Sequence, residues 1–519
     1  MKPLFKHLLT TFKLLLFLML PPAMGYAQVS NNIPTNDYSY ALIDKLAAVG
    51  LIKTPITAQR PWTRDYAARL VTEAMSNRDE LIKGLESPDR PERGDYKSYN
   101  KLLAQKRFVD AILKELSAKY GDGLHVIASP KGEAIPCDQL HYNDIQFHPL
   151  SSASLTYTYL NNSPLPVGAA PPNRINDQFY PLAANQEGRH YEEGSNYYIE
   201  TESSLTFPKY FSAYLRPQFQ FIYTSTSAGD EAHAYIQNLY VKTGINSFEI
   251  EVGRDQLVWG NALHGGLMFS DNPRPLDMVK LSTSKPVKIL VPVEATLIAA
   301  NMGPSYDPED AWVWGGKINV SPFEWLDLGF ADITESKAGH SSVNRIGFDG
   351  KLVLNGLRGV NLYGEGYIEN RDDEKFGWLA GVYFPRFDFI GKWSLRVEYE
   401  NIAANTYTSS KYPSGWALNN LFIGSIMGPD SQKFTASADY NFTPQTKLGL
   451  AGGYMERKGV NNESHIFNAY TFAIPFQDNR LNFYSSLGWD YVTNSNFTSG
   501  NNKADLMFQA GLKMNFPEF

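Results

Sequence analysis

The chain has one cysteine in 519 residues, Cys137. That excludes an intrachain disulfide framework and gives no support to a cysteine-based metal site. Past the first 27 residues there is no uninterrupted apolar run of the ~20 residues that a membrane-spanning helix needs. Mean hydropathy is -0.32, in keeping with that. A surplus of one charge is missing too. Forty-seven basic and 54 acidic residues give a net charge of -7, without long runs. No basic stripe is present, so nucleic acid is not an expected partner. G-x-S-x-G, H-E-x-x-H and C-x-x-C motifs are absent. His264 and Ser270 lie close in sequence, but nothing marks them as a base and nucleophile. Enzyme activity, a cofactor and a metal are therefore not expected.

What is present is an alternation. Tyr197, Ile199, Leu205 and Phe207 fall on one face of a segment, opposed by Asn196, Glu200 and Glu202. Trp393, Leu395, Val397 and Tyr399 likewise oppose Ser394, Arg396, Glu398 and Glu400. Aromatics reach 13%, with 31 Tyr and 30 Phe. A soluble sandwich also alternates, with its apolar face inward. A membrane barrel reverses this, with lipid outside and water within.

Other segments choose between the two. Lys2, Lys6 and Lys13 precede or overlap an apolar run at 14–20, and Gly25 and Ala27 fit a cleavage site. This reads as a secretory signal peptide over 1–27. The last segment alternates Leu506, Phe508, Ala510, Leu512, Met514 and Phe516 against Gln509, Lys513 and Asn515, and the chain ends on Phe519. A terminal aromatic of this kind resembles the sorting signal of outer-membrane barrels, although Pro517 interrupts the alternation. In a membrane without spanning helices, only a closed barrel pairs every backbone group.

The expected architecture is mainly β: an antiparallel transmembrane barrel at 126–519, preceded by a periplasmic helical bundle at 28–125. Strand candidates recur at intervals that give roughly 16 to 18 strands. Polar inserts at 161–194, 223–233, 301–311, 401–424 and 458–464 read as extracellular loops. In the bundle, Tyr40, Ile43, Leu46, Ala47 and Leu51 share one helix face, with Gly50 at its end. A second helix starts from Thr63 as N-cap. A polar stretch at 87–95 precedes a third helix, which carries Leu102, Leu103, Phe108, Ile112, Leu113 and Leu116. These apolar faces can be hidden only against each other or on the barrel mouth.

Two stretches stand out. Gly253-Arg-Asp-Gln-Leu-Val-Trp-Gly-Asn261 runs into His264-Gly-Gly-Leu-Met-Phe-Ser270 and Asp271-Asn-Pro-Arg-Pro275. So much Gly and Pro rules out an ordinary membrane strand. The block folds either into the lumen as a plug or into an ordered rim loop. Arg254 and Asp255 are expected to form an internal ion pair supporting it. Trp259 and His264 are expected to line the pore or plug, and Asn272 and Arg274 to belong to the same block. The simpler reading of the block is a structural turn. The second stretch is Trp312-Val-Trp314, with Trp325 after it. These are more simply an interfacial girdle than a sugar platform. Tyr407, Tyr412 and Trp416, in an Asn/Ser/Gly-rich insert, are better candidates for stacking on a sugar, with Tyr412 and Trp416 preferred, although ordinary loop packing explains them equally well.

The helical start Tyr40-Ala-Leu-Ile-Asp-Lys-Leu-Ala-Ala-Val-Gly-Leu-Ile52, the segment Arg60-Pro-Trp-Thr-Arg-Asp-Tyr-Ala-Ala-Arg-Leu70 and the central block together resemble the capsule assembly protein family called Wzi. The resemblance implies an outer-membrane barrel with a periplasmic helical bundle and an occluded lumen. It also implies a lectin that retains capsular polysaccharide on the cell surface. Arg254, Trp259, Gly260, Asn272 and Pro275 fall on the family's central block. Asn261 stands where the family has Pro, and Asp271 where Asn is commoner, which leaves the identity of the glycan open. Capsular or surface polysaccharide and outer-membrane lipid are thus the expected partners, with export machinery or peptidoglycan at the helices. The helical start also resembles an S-layer-homology repeat, and the alternative is a porin tethered by it to the cell wall.

Overall fold

The computed structural model describes residues 29–82, 96–120, 145–167, 177–207, 210–224, 229–245, 247–370, 372–476 and 480–516. The leader, the polar stretch 87–95, Cys137, Pro517 and Phe519 lie outside the described residues. Among the described residues, eighteen antiparallel strands close into one barrel. The first, Gln146–Leu160, pairs directly with the last, Lys503–Asn515, from Ser152 opposite Asn515 to Leu160 opposite Met507. The seam leaves no edge to be satisfied by a solvent that cannot hydrogen-bond.

The faces are inverted, as the alternation predicts for a membrane barrel. Phe348 and Leu450 point outward, 48% and 47% exposed, while Arg345 and Glu400 point inward at 0% and 2%. Aromatic side chains collect at both outer rims. Phe323 stacks on Trp325 at one end, where Trp393 also packs on Tyr440 and Tyr440 on Phe442. At the other end Tyr197 packs on Tyr157 and Tyr223, and Trp312, further round the same rim, is outward and exposed. Trp312 and Trp325 therefore belong to girdles, where an amphipathic ring sits between lipid and water.

The two ends differ in their connections. Trp312–Phe323 turns into Leu326–Ser336 within two residues, and Phe207, Phe323, Phe384 and Phe476 close hairpins at the same end. Segments 161–167, 180–193, 256–275, 302–311 and 403–430 all emerge at the opposite end. Short turns face the periplasm and long loops the outside.

Three helices, α1 (Ser39–Val49), α2 (Arg64–Ile82) and α3 (Tyr96–Lys119), pack against the short-turn end. Gly50 ends α1 with φ of 88°, a left-handed value that suits glycine. Thr63 Oγ1 accepts the Tyr66 N–H at 3.0 Å and caps α2. Tyr40, Ile43, Leu46, Trp62, Leu70 and Leu116 form a shared core, against which Ile390 of a barrel turn packs. Leu102 is a correction: it is 38% exposed and faces away from that core. Lys45 Nζ donates to the carbonyls of Pro385 (3.0 Å) and Gly391 (2.8 Å), fixing the helical body to the rim. Within the body, Lys119 pairs with Asp37 at 2.6 Å. Burial alone would raise the Asp37 carboxyl. The Lys119 charge, with hydrogen bonds from Lys119 and Ser39, outweighs it and holds the group below its ordinary value.

Candidate binding site at the plugged mouth

Strands Phe248–Asp255 and Leu276–Thr283 have only eight residues each. At Asp255 the chain leaves the wall, and residues 256–275 turn into the lumen. Gly260 makes the turn possible. Its φ is 135°, and a Cβ there would lie 2.5 Å from a Glu365 oxygen and 2.6 Å from the Gly266 Cα. Irregular backbone at membrane depth needs partners within the protein. Glu365 supplies three of them, accepting the N–H groups of Asn261 (2.8 Å), Ala262 (3.2 Å) and Leu267 (3.1 Å). Glu398 accepts the Leu263 N–H at 3.0 Å.

From the other end the N-terminal segment rises to meet this block. Gln59 and Arg60 pair antiparallel with Trp259 and Val258, and Gly260 N–H donates to Ala58 O at 2.8 Å. Below the pairing, Asn32 Nδ2 donates to Glu251 and to Asp255, both at 2.7 Å, and Lys242 donates to Asn32 Oδ1 at 2.7 Å. Backbone from the periplasmic side and backbone from the extracellular side thus join inside the barrel. A tethered porin would need an open lumen and a free-standing module; here the module docks on the barrel and reaches into it.

The residues singled out from the sequence separate into distinct places. Arg254 and Asp255 do not pair with each other, contrary to expectation. Neighbours on a strand point to opposite faces. Arg254 therefore lies on the outer surface, bound to Asp277 at 2.6 Å, while Asp255 faces inward to Asn32 and Asn238. Trp259 is in the plug core, edge-on to Phe269 at 4.9 Å. His264 has a half-exposed side chain 3.5 Å from Asp271, on the rim of the block. Asn272 staples three segments: it donates to Phe422 O at 3.0 Å and accepts from Asn185 N–H at 3.2 Å. Arg274 stacks 3.7 Å above the Tyr235 ring.

Tyr412 and Trp416 are both fully buried and offer no face to a sugar. Trp416 Nε1 donates to Met268 O at 2.8 Å, and the Arg345 guanidinium lies 4.2 Å over its ring. The insert carrying them folds down onto the block and forms part of the plug core. Glu365, Ala58 and Gln59 were not singled out by sequence reasoning, and Glu398 was read only as part of the polar face. Tyr407, the third sugar candidate of that insert, is likewise fully buried, and its hydroxyl donates to Leu267 O at 2.6 Å. Period two places Glu365 in the lumen, but no local signal tells what it holds.

Above this plug, on the extracellular side, segments 180–193 and 403–430 flank a cleft of about 460 Å³, including its open side. Gln186 and Arg189 present polar groups to it, while Tyr180, Tyr191, Phe422 and Asn272 lie behind them, buried.

Comparison with known proteins gives the same architecture. A solved outer-membrane protein of Escherichia coli, described as a carbohydrate-binding β-barrel involved in group 1 capsule assembly, aligns over 94% of this chain and 100% of its own, with a TM-score of 0.63 and 15% identity. At that identity the likeness concerns the fold. The porin OprD of Pseudomonas aeruginosa aligns over 72% of this chain and 93% of its own, with a TM-score of 0.44 and 10% identity. No curated protein matches the sequence. The family model for capsule assembly protein Wzi matches residues 167–340 and 333–506, which take in the central block, the plug-forming insert and most of the wall. This is an outer-membrane β-barrel, and the chain belongs to the Wzi family of capsule assembly proteins.

Proposed function

We propose that the protein holds capsular or surface polysaccharide on the cell by binding it at the extracellular mouth, without chemical conversion of the glycan. One observation carries the reading. The long loops fold inward onto a packed floor and leave on the outer side a cleft bordered by the partly exposed side chains of Gln186 and Arg189. Amide and guanidinium groups such as these bind sugar hydroxyls. The mostly preformed shape spares the entropy of ordering loops on binding. Membership of a capsule assembly family, and a solved structural relative described as carbohydrate-binding, support it. The helical body, facing the periplasm, is where export machinery or peptidoglycan would meet the protein.

The test is retention. Cells lacking the protein should shed polysaccharide into the medium that the parent keeps. Purified protein should bind that polysaccharide, and Gln186→Ala combined with Arg189→Ala should weaken binding at least about tenfold, since each lost contact is worth roughly 1 kcal/mol. Unchanged retention in the deletion strain, or unchanged affinity in a double variant that still runs as a folded barrel, would refute the reading.

A further inference from the structure

We propose that a buried charge cluster at the extracellular end of the barrel is a pH-sensitive latch on the mouth, closed while His465 carries a second ring proton and released when that proton is lost. It regulates the cleft read above as the polysaccharide site, and to that extent it rests on that reading.

The strand Leu481–Thr493 rises from the short-turn end and Lys503–Asn515 returns to it, so their connection at 494–502 is extracellular. His465, on the neighbouring strand Glu463–Phe476, points inward and is fully buried. Its Nδ1 lies 2.8 Å from Asp490 Oδ2 and its Nε2 lies 3.0 Å from Glu463 Oε1. Arg457 Nε donates to Glu463 at 2.8 Å, and Lys503 pairs with Asp505 at 3.0 Å. Arg457, Glu463, Asp490 and Asp505 are all buried. From segment 180–193, Tyr180 lies within electrostatic reach of Asp490 and Asp505.

The arrangement depends on one proton. An imidazolium donates from both ring nitrogens, whereas a neutral ring donates from one and presents a lone pair on the other. Either neutral tautomer of His465 turns that lone pair toward a carboxylate. The charges agree. Glu463, Asp490 and Asp505 are balanced by Arg457, Lys503 and His465 only while the imidazole is charged. Without that charge, one negative charge stays uncompensated in a buried place, which is costly. Asp490 bears this most directly, because its Oδ1 has no hydrogen-bond partner and His465 holds its other oxygen. Histidine is also the side chain whose ordinary charge change falls between pH 5 and 8.

What the cluster holds is a strained loop. Asn494, Asn496 and Phe497 have φ of 52°, 55° and 56°, left-handed values that side chains rarely adopt. Such backbone persists only where its surroundings impose it. Glu463 Oε2 accepts the Asn496 N–H at 2.6 Å, and the Arg457 guanidinium lies 5.3 Å from the centre of the Phe497 ring. The mouth leans on the same strands. The Tyr180 hydroxyl donates to Leu506 O at 3.4 Å, and Leu182 packs on Gly488. Loss of the His465 proton therefore frees loop 494–502 and unsettles segment 180–193 at the edge of the cleft.

The experiment is hydrogen exchange on the full chain in detergent from about pH 6 to about pH 9, read as protection factors so that the intrinsic pH dependence of exchange is removed. In the parent, the amides of 494–502 should lose at least about tenfold in protection over that range, the size expected for one hydrogen bond to a charged group. His465→Gln, which has no proton to lose, should show no pH dependence. Asp490→Asn balances the charges around a neutral ring and offers its lone pair an amide N–H, so its loop should stay protected throughout. Affinity for the purified polysaccharide should fall over the same range in the parent and stay level in Asp490→Asn. The proposal is overturned by parent protection that stays flat, by the same fall in His465→Gln, or by a fall in Asp490→Asn equal to the parent's. Should His465→Gln not fold, the comparison with Asp490→Asn decides. A loop that opens with pH while affinity stays level overturns the control of the mouth. A chain with no affinity even at the acid end, whose loop still opens as described, refutes the reading of the mouth and upholds the latch.

Discussion

Glu365 is the residue on which the plug depends most directly. Its two oxygens accept three backbone N–H groups of the block, and no other side chain does as much for that turn among the described residues. Truncating it would leave buried donors without partners, at about 1–3 kcal/mol each. Glu365→Ala should therefore loosen the block while leaving the wall intact, and planar-bilayer recordings should show current bursts that the parent lacks. Trp416 acts on the other side of the same core. Trp416→Ala should cost about 3–5 kcal/mol of plug stability through the cavity it leaves. That loss would appear as faster protease cleavage within 256–275 at constant barrel mobility on gels. Both roles were hard to read in the sequence. The insert around Trp416 is polar and rich in Asn and Ser, which locally describes a solvated loop, and its burial comes from Arg345 and Met268, both distant in the chain. Arg254 and Asp255 were different, because the period-two rule already placed them on opposite faces.

At the scale of elements, much was legible. Helix α1 stops at its glycine, α2 starts from its threonine cap, and the wall strands carry their apolar residues outward, because caps and alternation are local signals. The pairing of Gln59–Arg60 with Val258–Trp259 was not legible, since two residues carry no period and the partners come from separate segments. It predicts a dependence of one element on another. Removing residues 29–120 should deprive the block of its lower support, so the truncated barrel should conduct steadily where the full chain does not. The helical body also has its own acid limit. The Asp37 carboxyl lies below its ordinary value of 3.8 in the folded body, so its contribution is present above that pH and is lost as pH falls through the depressed value. The urea midpoint of the helical dichroism signal should stay level between about pH 7 and 5 and drop below about pH 4. Asp37→Asn should lower the midpoint at neutral pH and flatten the acid limb.

For the whole molecule, the decisive property is its inverted wall. Phe348 sits outward on the strand Val343–Leu354, 48% exposed to what must be lipid. Phe348→Arg should cost about 2–4 kcal/mol if it lies near the bilayer midplane, measured by urea unfolding in lipid vesicles. An equal substitution in a soluble sandwich would cost little, so a null result would question the membrane setting itself.

The joined backbones inside the ring also bear on how the cell could use such a protein. A surface anchor is useful in proportion to its copy number, and each copy of an open pore would admit antibiotics and bile acids. Because this barrel is stoppered by its own chain, a cell could display it densely and keep its permeability barrier intact.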